Sequence, residues 1–187
     1  MSRPMRALSV CLLVALFSFS GTTPAQPAET WVLVDTPALQ VSVMRGEEVL
    51  ATFDNIAIGS NGTTRRKRVA DERTPLGDYR ISEIRRSIRF HLFLGLDYPT
   101  MNDAKLALGE NRIETSEFER IRQALQRGDR PPQDTALGGN LGFHGIGDGD
   151  PEVHVRFNWT NGCIALTNDQ IDALADLVTV GTPVRIR

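Results

Sequence analysis

Residues 39–53 read as two strands joined by a turn, and no other feature narrows the fold as much. Leu39-Gln40-Val41-Ser42-Val43-Met44-Arg45 alternates apolar and polar residues, the period of a half-buried strand. Gly46-Glu47-Glu48 reads as a hairpin turn and Val49-Leu50-Ala51-Thr52-Phe53 as the return strand. Trp31 to Val34 before the pair and Ile56 to Gly59 after it are further short apolar strands. Strands in such quick succession argue for a sheet-rich domain. Farther on, Pro75 fixes a turn and Gly77 permits a positive φ before the chain enters a strand through Tyr79-Arg80-Ile81. Ile88 to Leu96 resumes strand character until Tyr98-Pro99 breaks it.

Helical spacing begins only afterwards. Met101 to Leu108 reads as a short helix capped by Thr100 or Asn102. Glu114 to Arg127 is the clearer one: Phe118, Ile121, Ala124 and Leu125 share a face, and Gly128 ends it. Residues 129–140 form a Pro/Gly-rich loop. Leu141 to Ile146 is an apolar strand carrying His144, and residues 147–152 are a tight acidic turn. Val153 to Phe157 alternates like a strand, which turns His154 toward solvent opposite the valines. Thr167 and Gln170 make a capping box for a helix that buries Ile171, Leu174, Ala175 and Val178. Gly181-Thr182-Pro183 then leads into a last strand, Val184 to Ile186.

The N-terminus has the pattern of a secretory leader. Arg3 and Arg6 precede a hydrophobic run of 13 residues, Ala7 to Phe19, too short for a comfortable membrane span. Thr23-Pro24-Ala25 supplies a cleavage signal. The expected organisation is a signal peptide over 1–25, a short linker over 26–30 and one domain over 31–187. Val10 is too bulky before Cys11 for a lipoprotein signal, so no lipidation is expected. Cleavage after Ala25 removes 25 of 187 residues and two positive charges, taking the formal net charge from −2 to −4. That balance gives no electrostatic case for nucleic-acid binding. No second long apolar run follows, so no membrane span is expected in the mature chain.

Of the two cysteines, Cys11 lies in the leader, and Cys163 is left without an internal disulfide partner in an oxidising compartment. Eighteen residues separate it from His144, and both sit among glycines. A thiol with a pKa of about 8.5 is only a few per cent ionised at neutral pH, so a nucleophilic thiol needs a base. His144 is the chosen partner. Gly142, Gly145 and Gly162 allow close approach of backbone or ligand. The amides of Asn161, Gly162 and Cys163 are candidate oxyanion donors, with Thr160 and Asn161 holding the turn. The bland alternative for Cys163 is a small buried hydrophobe.

His154 and His91 are rival bases, the latter more consistent with a structural role in its apolar stretch. Cysteine and histidine spacing does not support zinc, and Asp148, Asp150 and Glu152 lack the spacing of a calcium loop. No metal or other cofactor is expected. The chain holds no phosphate-binding loop, dinucleotide fingerprint or G-x-S-x-G elbow. The run Arg65-Arg66-Lys67-Arg68 reads as a solvated loop tip, or alternatively as a site for carboxylates on an acidic polymer.

The stretch His144 to Leu166 resembles the L,D-transpeptidase catalytic domain, the YkuD family, which carries a histidine, then 14 to 17 residues, then Ser/Thr-His-Gly-Cys. Fifteen residues separate His144 from Thr160 here. Arg73-Thr74-Pro75-Leu76-Gly77-Asp78-Tyr79-Arg80-Ile81 is similar to the family's T-P-x-G-x-[FY]-x-I segment, and Asp97-Tyr98-Pro99-Thr100 and Trp159-Thr160-Asn161-Gly162-Cys163-Ile164-Ala165-Leu166-Thr167-Asn168 resemble a subgroup often placed with murein-remodelling members. The resemblance covers about residues 30–187. It implies a mainly β sandwich or barrel with a few peripheral helices. It also implies a cysteine acyl transfer on peptidoglycan stem peptides, with Cys163 as nucleophile and His144 as proton donor and acceptor, and a role in cell-wall organisation and cell shape. Two positions depart from the pattern. The family's second histidine is Asn161, and the arginine often found two residues after the cysteine, near the substrate, is Ala165. Hydrolysis in place of transfer, and a non-catalytic wall-binding module, are the alternatives.

Overall fold

A computed structural model describes residues 28–187. The expected leader therefore lies outside the described residues, as do the first two positions of the expected linker; its last residue, Thr30, already belongs to a strand. The chain runs β1 (Thr30–Asp35), β2 (Gln40–Arg45), β3 (Glu48–Asp54), β4 (Thr63–Thr64), β5 (Thr74–Pro75), β6 (Gly77–Ser87) and β7 (His91–Leu96). It continues through α1 (Met101–Gly109), α2 (Thr115–Gln126), β8 (Gly142–Gly145), α3 (Pro151–Arg156), β9 (Ile164–Leu166), α4 (Asn168–Leu177) and β10 (Pro183–Ile186). The fold is mainly β, with four helices around a mixed sheet.

Eight strands form that sheet in the order β3-β2-β1-β10-β6-β7-β8-β9. β1 pairs parallel with β10 and β8 parallel with β9; the other neighbours are antiparallel. The period-2 pattern sets the register. Val43, Val32, Val184 and Tyr79 lie side by side across four strands, all buried. A one-residue slip would turn that whole row to the opposite face. Fully burying such side chains stabilises by about 1.5–3 kcal/mol each.

The segment after β3, expected as a strand, makes only isolated bridges, but these join the two ends of the sheet. Ala57 exchanges backbone hydrogen bonds with Ala165 of β9 at 3.0 and 2.8 Å, and Ser60 and Thr160 extend the contact. The edge strand β9 is thereby covered, which removes an exposed ladder. α4 packs over β7 and β8 and buries Ile171 and Leu174; Ala175 is only partly buried and Val178 caps the end. Its start is the expected capping box, with Thr167 accepting from the Gln170 amide. Thr100 caps α1 in the same manner.

One local expectation is corrected and another is met only in part. Val153 to Phe157 is not a strand: residues 151–156 form α3, capped by Asp150 with Pro151 in its first turn. Asp and Pro at the first positions are helix-start signals, and they outweigh a five-residue alternation. Residues 60–73 are a solvated loop at Arg65, Arg66 and Arg68, which are exposed, but they contain β4, which pairs with β5, and Lys67 within them is buried.

Candidate active site

The site lies where β8, β9 and the turn before β9 meet. Cys163 immediately precedes β9, and His144 sits inside β8, paired with Ala165. A two-residue side-chain period then puts the thiol and the imidazole on the same sheet face, one diagonal step apart. Both line one cavity of about 320 Å³, together with Asn140, Trp159, Thr160 and Asn161. Of the expected site residues, Cys163, His144, Thr160 and Asn161 meet there; Gly162 and Gly145 shape the backbone around it.

Glycine is obligatory at three of these positions. A Cβ on Gly142 would sit 2.2 Å from the Leu94 carbonyl oxygen across the β7–β8 pair. At Gly145 it would meet Asn168 Oδ1 at 2.6 Å, and at Gly162, where φ is 125°, the Arg73 carbonyl at 2.6 Å. Such approaches leave no room for a side chain. Asn168 closes the loop beyond His144: its Oδ1 accepts from the Gly147 amide and its Nδ2 donates to the Gly147 carbonyl, both at 2.9 Å.

The turn holding Cys163 is clipped by Thr160. Its hydroxyl donates to the Cys163 carbonyl at 2.7 Å and accepts from the Gly162 amide at 3.1 Å. That second bond engages the Gly162 amide within the turn itself. Thr74, from the segment resembling the family's T-P-x-G motif, is fully buried and accepts from the Gly59 amide at 2.9 Å. It braces the strand segment that bonds Thr160, a structural task.

His144 is 3% exposed. Its Nδ1 lies 2.8 Å from the Gly145 carbonyl, which can only accept, so Nδ1 carries the proton and Nε2 the lone pair. Phe90 stacks on the ring at 4.2 Å and Trp159 meets it edge-on at 5.6 Å. Burial lowers the His144 pKa; the Gly145 bond opposes that, and the nearby His154 and Arg89 add to it. At neutral pH the ring is therefore an uncharged base. Burial likewise pushes the Cys163 thiol up to about 11, against the Gly142 backbone and the Lys67 charge, which pull it down. The thiol donates to the Asn140 carbonyl at 3.5 Å, not to His144. The resting pair is thus a neutral thiol beside a neutral imidazole.

The rival histidines separate from the site in different ways. His91 pairs with Asp172 at 2.7 Å on the sheet margin. His154, expected to face solvent, is 2% exposed, because the helical turn of α3 carries it inward. Its Nδ1 accepts from Trp159 Nε1 at 3.3 Å, so it supports the ring that walls His144. Asn140 and Phe90 were not singled out by sequence reading; they carry no motif of their own and matter only through contacts between distant segments. Trp159 and Asn168 entered only as the ends of a segment that resembles the family, with no role assigned to either. Ala165 is fully buried and bonded through its backbone to Ala57. Among the described residues, no group of three or more His, Cys, Asp or Glu side chains is arranged to hold a metal, and no helix is long and apolar enough to cross a membrane.

A buried imidazole and a thiol at a Gly-Cys turn, carried on adjacent parallel strands of a closed mixed sheet, place the chain in a class of cysteine-histidine sites. The family model of the L,D-transpeptidase catalytic domain, YkuD, matches residues 29–186, and the chain belongs to that family. The helical cell shape determining protein Pgp2 from Campylobacter jejuni has a similar fold, with a TM-score of 0.57 at 17% identity over 86% of this chain and 48% of that one. Bdellovibrio bacteriovorus Bd1075 superposes with a TM-score of 0.54 at 20% identity, over 86% and 48% of the two chains. The C442S mutant of Enterococcus faecium L,D-transpeptidase gives 0.50 at 14%, over 85% and 50%. The chain thus spans about half the length of these structures. No curated protein sequence matches it.

Proposed function

We propose that the protein is an exported cysteine acyltransferase acting on peptidoglycan stem peptides, an L,D-transpeptidase with Cys163 as nucleophile and His144 as acid and base. The observation that carries this reading is the tautomer of His144. Its Nδ1 proton is tied to the Gly145 carbonyl, which leaves the Nε2 lone pair available in the cavity that also holds the Cys163 sulfur. Family membership supplies the substrate class.

The steps follow from these groups. An arriving peptide displaces the thiol from the Asn140 carbonyl, and His144 Nε2 takes the thiol proton. The thiolate attacks the carbonyl carbon of the third stem residue, and the amides of Asn161 and Cys163 receive the oxyanion. The C–N bond to the terminal D-alanine breaks as the imidazolium returns its proton to the leaving amine. A thioester remains. The acceptor amine then attacks it, giving its proton to Nε2, and the sulfur leaves and is reprotonated. Neither step needs a cofactor.

Asn161 in place of a titratable residue favours a second reading, in which water is the acceptor and the product is a shortened stem. Incubation with tetrapeptide muropeptides separates the two. Cross-linked dimers support transfer, tripeptide alone supports hydrolysis, and turnover that persists in Cys163→Ala contradicts both. A fold that binds sacculi without any turnover would leave only a wall-binding module.

A further inference from the structure

The reaction above leaves the basic run Arg65-Arg66-Lys67-Arg68 without a role. Its loop is anchored. The Lys67 side chain is only 6% exposed; it pairs with Asp71 and reaches the Asn161 carbonyl at 3.5 Å. Asp71 also accepts from the backbone amides of Arg68 and Arg73, at 2.8 and 3.0 Å. Burial pushes the Asp71 carboxyl up, but Lys67 and these amides together hold it below its ordinary value. An unpaired buried ammonium would cost several kcal/mol, so the ion pair fixes the loop in one arrangement.

That arrangement builds an open cavity of about 810 Å³ ringed by Arg65, Arg66, Arg68 and Arg73. Its two wall carboxylates are already engaged: Glu110 by Arg66 and Arg112, each at 2.8 Å, and Asp71 by Lys67. Arg65, Arg68 and Arg73 have no acidic partner among the described residues. A chain of formal net charge −2 therefore concentrates three uncompensated guanidinium groups in one concavity. The cavity borders the Cys163 turn. The Arg73 carbonyl packs against Gly162, and Lys67 holds Asn161 between the two sites.

We propose that this cavity is a binding site for the carboxylates of the substrate peptide, seating its anionic groups next to Cys163. Guanidinium forks match carboxylates with paired hydrogen bonds, and the pinned backbone removes the cost of ordering the main chain at each encounter. The identity of the peptide rests on the proposed function; the preference for carboxylate does not.

The test is fluorescence anisotropy with a labelled stem tetrapeptide, its carboxylates either free or amidated. The proteins are Cys163→Ala, which cannot turn the probe over, and Cys163→Ala carrying Arg65→Gln and Arg68→Gln. The free-acid peptide is expected to bind about tenfold tighter than the amidated one, and the arginine substitutions to erase that difference. In a chain retaining Cys163, the same two substitutions leave alkylation of the thiol by iodoacetamide unchanged, which reports an intact fold. Equal binding of the two peptides overturns the site, as does a preference that survives the arginine substitutions. Tighter binding of a phosphodiester polymer than of the free-acid peptide also overturns it. A wild type that never acylates while the carboxylate preference stands refutes the proposed reaction and leaves this site intact.

Discussion

The two halves of the sheet are built on different rules. In the half formed by β1, β2, β3 and β10, cross-strand rows such as Val41, Val34 and Ile186 repeat the alternation of the sequence, interrupted by one register shift between β2 and β3 at Val43 and Met44. In the half formed by β7, β8 and β9, strands are short and buried on both faces: every residue of β8 and β9 is buried. There glycines at 95, 142 and 145 let backbones and side chains approach, side chains of Asn168 and Thr74 satisfy backbone groups across long sequence gaps, and Thr160 does so within its own turn. Regular alternation is a way to bury area; a site needs backbone groups held at chosen points, and those are supplied by residues with no periodicity. The candidate site sits in the half with the buried, glycine-rich strands.

That contrast can be broken or sharpened at several points. The largest effect concerns the thiol. Burial raises its pKa, so the thiolate fraction, and with it the rate of alkylation by iodoacetamide, is expected to climb as pH rises toward 11. Between pH 7 and 10 the gain is about a thousandfold. A rate that levels off near pH 7 would mean a standing thiolate–imidazolium pair instead. Next comes Gly142→Ala. Its Cβ would lie 2.2 Å from a backbone oxygen that no side-chain movement relieves, so the variant is expected to lose about 4 kcal/mol or more in urea denaturation. Leu94→Ala, at a fully buried position of β7, is expected to cost about 2–5 kcal/mol, measured in the same way. The smallest effect is at Gly109, the last residue of α1, where nothing lies within 4 Å of an added Cβ and φ is not positive. Gly109→Ala is expected to be neutral or to stabilise by up to about 1 kcal/mol. Comparable losses at Gly142 and Gly109 would end the claim that close approach defines the site half.

The same division decides what was legible in the sequence. The hairpin of residues 39–53, the capping box at Thr167 and the helix 114–127 were readable because local period and local caps encode them. Cys163 and His144 were readable because reactive side chains stood among glycines, and their shared cavity agrees with that pairing. His154 was misplaced: five alternating residues fit a strand, while Asp150 and Pro151 before them had already started a helix. The burial of Lys67 was hidden because its partner Asp71 and its contact at Asn161 come together only in the fold. The engagement of the Gly162 amide by Thr160 was likewise hidden, since a threonine two residues upstream serves equally well as a solvated turn residue.

The central claim is that the Cys163 sulfur becomes acylated with help from His144. Intact-mass spectrometry after incubation with a carbapenem tests it most directly. The account predicts one covalent adduct on the wild type, none on Cys163→Ala, and a much slower adduct on His144→Ala. A folded wild type that stays unmodified, or an adduct that persists on Cys163→Ala, would contradict it.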